Sequence, residues 1–94
     1  MRRYVEELKA RHIRAERVYL FGSYVSGLAT DDSDIDVAVV SEDLTGDCIE
    51  DRVRLMRCRW DVDLRIEPHP FRPEDFNDDN ILAAEVLRTG IRVA

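Results

Sequence analysis

The sequence predicts an α/β (α+β) domain built on a small mixed β-sheet of three to four strands flanked by helices. Short apolar runs rich in β-branched residues, typical of strands, alternate with segments of helical periodicity in the order αβαβαβα. The chain has 94 residues, of which 45 % are hydrophobic, enough for one modest core. We therefore expect a single domain over residues 1–94.

The first half of the chain alternates helical and extended patterns. Apolar side chains three and four positions apart predict the first helix, with Val5, Leu8, His12 and Ala15 on its apolar face. Two apolar runs predict buried strands, and Gly27 closes a short turn of helix between them. The predicted ranges are a helix over 3–15, a strand over 17–21, a helical turn over 24–27, a polar loop over 28–33 and a strand over 34–40.

The second half repeats the alternation. Ile49, Val53, Met56 and Trp60 fall near one face of its first predicted helix, and we expect Trp60 to anchor the core or an interface. A clean polar–apolar alternation then predicts a half-buried strand, which the following prolines should end. The predicted ranges are a helix over 48–58, a strand over 59–67, a helical turn over 73–76, a helix over 79–88 and an edge strand over 91–93.

Composition narrows the function classes. The formal net charge of −6 opposes general nucleic-acid binding, because such a surface repels phosphate backbones. No apolar run reaches the roughly 18 residues of a membrane span. The first residues lack the layout of a secretory signal, and Cys48 and Cys58 lack the spacing of a zinc site. We expect reduced thiols and a cytoplasmic protein.

The first candidate site is the pair Gly22–Ser23, where a predicted strand gives way to a helical turn. Free backbone N–H groups at the start of a helix attract phosphate, and glycine lets a ligand approach the backbone closely. The Ser23 hydroxyl can donate to a phosphate oxygen. The alternative is purely structural: Ser23 caps the helix after a glycine turn.

The second candidate is the pair Asp34 and Asp36 at the start of a predicted strand. Residues two apart on a strand share a face, so the two carboxylates repel each other unless a cation lies between them. Mg²⁺ combines carboxylate and phosphate oxygens in this way. The alternative is an acidic, solvent-facing strand edge without a ligand.

A third carboxylate is expected on the predicted strand over 59–67. If that strand lies beside the one carrying Asp34 and Asp36, Asp63 can complete a cluster able to hold two metal ions about 3.5–4 Å apart. Apolar neighbours on both sides of Asp63 suit a fixed position on a packed sheet. Glu67, just before a proline, is the alternative, whereas Asp61 and Arg65 fit ordinary cross-strand ion pairs.

In this order and spacing, the three elements resemble the minimal nucleotidyltransferases of the DNA polymerase β superfamily, with a palm-like fold. The resemblance covers about residues 17–67. It implies that Gly22 and Ser23 bind the nucleotide phosphates, that Asp34 and Asp36 hold Mg²⁺, and that Asp63 is the third carboxylate, near the acceptor hydroxyl. All three carboxylates would then be catalytic residues and metal ligands.

The resemblance also implies a reaction and a partner. An acceptor hydroxyl would attack the α-phosphorus of a nucleoside triphosphate, expected to be ATP, with two Mg²⁺ ions as cofactors. Small members of the family often pair with a helical protein of the HEPN class as antitoxin and toxin, and some transfer AMP to that toxin. One departure stands out, because many active relatives carry an arginine where this chain has Ser26. The alternative is thus a catalytically degenerate module that neutralises a partner by contact.

Overall fold

Helices and strands alternate along the chain as the apolar pattern predicts. The computed structural model describes residues 2–30, 33–60 and 62–94. Its elements are α1 (Arg2–Ala10), β1 (Arg17–Phe21), α2 (Ser23–Ser26), β2 (Ile35–Val40), α3 (Cys48–Arg57), β3 (Ile66–Phe71), a 3₁₀ turn (Pro73–Asp75), α4 (Ile81–Thr89) and β4 (Ile91–Arg92).

The strands form one mixed sheet in the order β3-β2-β1-β4. β1 runs antiparallel to both β2 and β4, whereas β2 and β3 are parallel and are connected through α3. The predicted fold class, a small mixed sheet flanked by helices, is confirmed. In the part of the chain that the structure describes, no helix is long and apolar enough to cross a membrane.

Each face of the sheet carries its own hydrophobic cluster. One face packs α1 and α3 against the strands through a cluster that includes Tyr4, Leu8, Val37, Leu55 and Ile66. The opposite face, which is also the face of Asp36, packs α4 and the 3₁₀ turn through a cluster that includes Phe21, Ala38, Phe71, Phe76 and Val86. Both faces of the sheet are thus covered, and the hairpin of β1 and β2 contributes buried residues to both clusters.

The predicted helix over 3–15 is too long, because α1 ends at Ala10. His12 adopts a left-handed conformation with φ of 64° and is exposed, so it does not belong to the apolar face. The Ile13 amide donates to the Leu8 carbonyl at 2.9 Å and the His12 amide to the Lys9 carbonyl at 3.0 Å, the Schellman arrangement. Ile13 and Leu8 are both buried in one cluster, and this contact ends the helix early.

The predicted strand over 59–67 is displaced: β3 runs from Ile66 to Phe71 and contains the prolines expected to end it. β3 is an edge strand, and the Arg65 and Phe71 carbonyls accept hydrogen bonds from the β2 side. Alternation then points the backbone nitrogens of Pro68 and Pro70 away from β2, where no N–H is needed. Prolines are therefore tolerated here, and the alternation over 59–65 belongs to turns.

The apolar stripe expected on α3 does not face the core. Ile49 is 79 % exposed, Val53 42 % and Trp60 69 %. The buried side chains of α3 are Asp51 and Leu55. Asp51 turns inward because its carboxylate accepts hydrogen bonds from the loop before the helix, and this fixes the helix rotation. Trp60 is therefore not a core anchor.

Candidate functional site

The β1–β2 hairpin brings the two ends of the predicted motif together. In the antiparallel register Phe21 pairs with Asp36, so the residue after Phe21 lies beside the Asp36 carboxylate. A β-carbon built on Gly22 would lie 2.3 Å from Asp36 Oδ2, far inside van der Waals contact. The residues between the Gly-Ser pair and the carboxylates thus form the connection between the two strands of this hairpin.

Gly22 is required for a second, independent reason. Its backbone has φ of 77° and ψ of −147°, a region that residues with a β-carbon rarely enter. β1 therefore ends in a turn that only glycine makes without strain, and the same turn leaves room for the Asp36 carboxylate. Both constraints require glycine where the backbone of the turn and the Asp36 carboxylate approach each other closely.

Ser23 begins α2, and its N-cap residue is Gly22. The alternative that Ser23 caps the helix is therefore wrong. Ser26, at the end of α2, donates from its hydroxyl to the Ser23 carbonyl at 3.3 Å. A cleft of about 450 Å³ borders this turn, between α2 and α4, and Gly22 and Ser26 line it together with Glu85. Ser26 thus faces open space beside the Gly-Ser turn.

Asp34 is exposed and immediately precedes β2, whereas Asp36 lies on β2 and is half-buried. Asp36 Oδ1 is 3.2 Å from His69 Nε2. The His69 ring packs edge-on against Phe21, with centroids 5.1 Å apart. The sequence gives little sign of this contact, because the prolines on both sides of His69 conceal its position on β3, on the same face of the sheet as Asp36.

Asp63 does not lie on a strand beside Asp34 and Asp36, which corrects that part of the prediction. It lies in the turn before β3, and its carboxylate accepts from Arg65 Nε at 3.2 Å and Arg65 Nη2 at 2.9 Å. This guanidinium holds the pKa of Asp63 below its usual value. The role of Asp63 as third carboxylate stays a prediction. Asp61 lies outside the described residues.

Glu67 occupies the strand position that was expected of Asp63. It pairs with Asp36 in the parallel register of β2 and β3, so the two side chains share a face. Its carboxylate forms an ion pair with Arg52, which reaches over the sheet edge from α3. The geometry therefore favours Glu67, the alternative weighed from the sequence, over Asp63.

The donor set suits Mg²⁺ held with the help of a substrate. Among residues 2–30, 33–60 and 62–94, no three His, Cys, Asp or Glu side chains are grouped closely enough to hold a metal ion alone. Mg²⁺, however, is commonly bound by one or two carboxylates together with substrate phosphates. Asp34 and Asp36 supply two carboxylates and stay the predicted ligands, and the Gly-Ser turn beside Asp36 stays the predicted position of the phosphates.

A mixed sheet whose first hairpin joins a Gly-Ser turn to strand carboxylates defines the class of nucleotidyltransferase-like domains. The family model described as "Nucleotidyltransferase domain" matches residues 1–84, so the chain belongs to this family, within the DNA polymerase β superfamily. The resemblance found in the sequence is thus confirmed at the level of the family.

The fold has a solved counterpart. The structure described as "Crystal structure of the toxin-antitoxin with AMP-PNP" contains a chain with a TM-score of 0.69 and 23 % identity. The match covers 97 % of this chain and 69 % of that one, and at this identity it concerns the fold. No curated protein shows significant sequence similarity to the chain.

Proposed function

We propose that this protein is a Mg²⁺-dependent nucleotidyltransferase that transfers AMP from ATP to a hydroxyl group of a partner protein. The partner is a small helical toxin of the HEPN class, and this chain is its antitoxin, acting in the cytoplasm. Family membership supports nucleotidyl transfer. The toxin–antitoxin complex with AMP-PNP that shares the fold supports a protein partner and an adenine nucleotide.

The contact between the Gly-Ser turn and Asp36 carries the proposal. A backbone turn that accepts only glycine lies against a carboxylate that a metal ion would use. In this proposal Gly22 and Ser23 bind the triphosphate, and Asp34 and Asp36 hold Mg²⁺. A second Mg²⁺ would use a third carboxylate, either Glu67 or Asp63.

The residues divide the work of the reaction. Mg²⁺ would neutralise triphosphate charge and lower the pKa of the acceptor hydroxyl. The absence of a side chain at Gly22 lets the Asp36 carboxylate lie against the turn that would bind the phosphates, and His69 holds the orientation of that carboxylate. The acceptor oxygen forms a bond to the α-phosphorus as the bond to pyrophosphate breaks, and the third carboxylate takes the hydroxyl proton.

The test is transfer of label from α-labelled ATP in the presence of Mg²⁺, with and without the co-purified partner. We expect label on the partner, and none with the double variant Asp34→Asn Asp36→Asn. The matched control is Asp78→Asn Asp79→Asn, which removes the same charge from exposed residues before α4. Transfer that survives the first double variant would overturn the assigned metal ligands.

A binding module without catalysis is the second candidate. Two observations favour it: Ser26 stands where active relatives carry an arginine, and Ile49, Val53 and Trp60 expose apolar surface of the kind that partners cover. This candidate predicts a tight complex, no label transfer with any nucleotide, and toxin neutralisation unchanged by Asp34→Asn Asp36→Asn. Loss of neutralisation in that variant, with the complex retained, would exclude it.

A further inference from the structure

Arg65 lies between the two halves of the proposed nucleotide site. Its backbone carbonyl accepts a hydrogen bond from the Ile35 amide at 2.8 Å, which places it directly beside the residue between Asp34 and Asp36. Its guanidinium Nη1 donates to the Tyr24 hydroxyl at 3.0 Å, on the helix that begins at the Gly-Ser turn. Arg65 therefore connects β2, the strand that carries Asp36, to α2: its backbone contacts β2 and its side chain contacts α2.

The guanidinium is held in one orientation. Asp63 accepts from Nε and from Nη2 through its two carboxylate oxygens, a bidentate fork, while the Tyr24 hydroxyl accepts from Nη1. The Asp63 carboxylate also accepts from the Arg65 amide at 2.9 Å, which fixes the turn itself. The Arg65 side chain remains 49 % exposed, so this fixed cation is accessible to a ligand.

The site needs such a cation. A triphosphate carries several negative charges, and it must enter beside Asp34 and Asp36 in a chain of net charge −6. The turn of helix that begins at Ser23 carries no basic residue, and position 26 is a serine. Arg65 approaches this short helix from the turn before β3, and its exposed guanidinium brings the positive charge that phosphate oxygens attract.

We propose that Arg65, oriented by Asp63 and Tyr24, binds the β- and γ-phosphates of the nucleotide and supplies the positive charge that α2 lacks. The inference rests on the proposed function. It makes Asp63 a positioning residue that acts through Arg65, and it leaves the third carboxylate to Glu67, which is in register with Asp36.

The experiment measures binding of AMP-PNP and of AMP by calorimetry in the presence of Mg²⁺. We expect Arg65→Gln to weaken AMP-PNP binding about tenfold to a hundredfold, the range for a charge-assisted hydrogen bond, and to leave AMP binding unchanged. Arg65→Lys should fall between, because a lysine keeps the charge but loses the fork. Circular dichroism and thermal unfolding check that each variant is folded.

Two further variants sharpen the test. Ser26→Arg in the Arg65→Gln background should restore AMP-PNP affinity, because it returns a cation to the cleft beside the Gly-Ser turn. Arg11→Gln is the control for loss of one positive charge. Arg11 follows α1, which packs on the sheet face opposite Asp36, and it is paired with Glu7 at 3.0 Å. The control should bind AMP-PNP as the wild type does.

A double-mutant cycle separates the two roles of Asp63. If Asp63 acts only through Arg65, Asp63→Asn weakens AMP-PNP binding in the wild type but adds nothing in the Arg65→Gln background. An equal additional loss in both backgrounds would mean that Asp63 contacts the metal or nucleotide directly, and it would overturn its positioning role.

The outcomes distinguish this inference from the proposed function. A folded wild type that binds no AMP-PNP with Mg²⁺ would overturn both. A wild type that binds AMP-PNP, with Arg65→Gln binding equally well, would overturn the role of Arg65 and leave the nucleotidyltransferase proposal standing. An equal loss of AMP and AMP-PNP affinity in Arg65→Gln would also overturn it, because the contact would then not lie on the outer phosphates.

Discussion

Replacing Gly22 by alanine tests whether the Gly-Ser turn and Asp36 form one structural unit. The new β-carbon would occupy a backbone conformation with φ of 77°, which costs about 1–3 kcal/mol. It would also lie 2.3 Å from Asp36 Oδ2, so the carboxylate must move and lose its contact with His69, at about 1 kcal/mol more. We expect Gly22→Ala to reduce the free energy of unfolding by about 2–4 kcal/mol.

Gly27→Ala is the matched control. Gly27 also has a positive φ, of 82°, but a β-carbon built there meets nothing within 4 Å. Only the left-handed conformation is penalised, at about 1 kcal/mol. Urea unfolding followed by circular dichroism gives both values, provided that the m-value stays constant.

A double-mutant cycle with Asp36→Ala isolates the contact. Removing the carboxylate relieves the overlap, so the loss for Gly22→Ala in that background should be smaller than in the wild type by about 1 kcal/mol. Gly27→Ala should show no such coupling. If Gly22→Ala is no more destabilising than Gly27→Ala and the cycle is additive, the reasoning that joins this turn to Asp36 is refuted.

Three further predictions concern the scaffold. Asp51→Ala should lower the free energy of unfolding, measured with urea, by about 2–4 kcal/mol, because three hydrogen bonds to a buried carboxylate are lost. A loss smaller than that caused by alanine at an exposed aspartate would contradict this. Burial raises the pKa of the Cys58 thiol, so a thiol reagent at neutral pH should label exposed Cys48 rapidly and Cys58 only upon unfolding; equal rates would be contrary evidence. Arg14 lowers the pKa of Asp43 in the folded state. The wild type should therefore be more stable than Asp43→Asn above a pH of about 4, and this difference should disappear as the pH falls through the lowered pKa. A difference in stability that does not change with pH would argue against the ion pair.

The sequence predicted the first hairpin correctly because its signals are local. β1 is observed at the predicted residues 17–21, and the second strand at Ile35–Val40 differs from its prediction by one residue. Glycine and polar residues bound these apolar β-branched runs, so the sequence allows few alternative periodicities or strand pairings there. The two motif pieces lie at the adjoining ends of those strands, so the antiparallel hairpin brings them together.

The region after α3 could not be predicted because two local rules misled. A polar–apolar alternation over 59–67 indicated a strand, yet an edge strand tolerates prolines and β3 begins only at Ile66. The hydrophobic stripe of α3 indicated a buried face, yet the hydrogen bonds of Asp51 rotate the helix so that Ile49 and Val53 are exposed. Both errors come from tertiary contacts, the place of β3 at the sheet edge and the hydrogen bonds of Asp51, which local sequence patterns do not show.

The displacement of β3 changes which acidic residue lies beside Asp36. Asp63 has apolar neighbours on both sides and matches the family pattern, but it forms a bidentate ion pair with Arg65 in a turn. Glu67 has proline after it, yet register places it beside Asp36. A shift of a few residues in one strand therefore exchanges the proposed metal-ligand position for the proposed positioning role. Because the two carboxylates are four residues apart, sequence spacing cannot separate these roles, whereas the binding of AMP-PNP by single and double variants can.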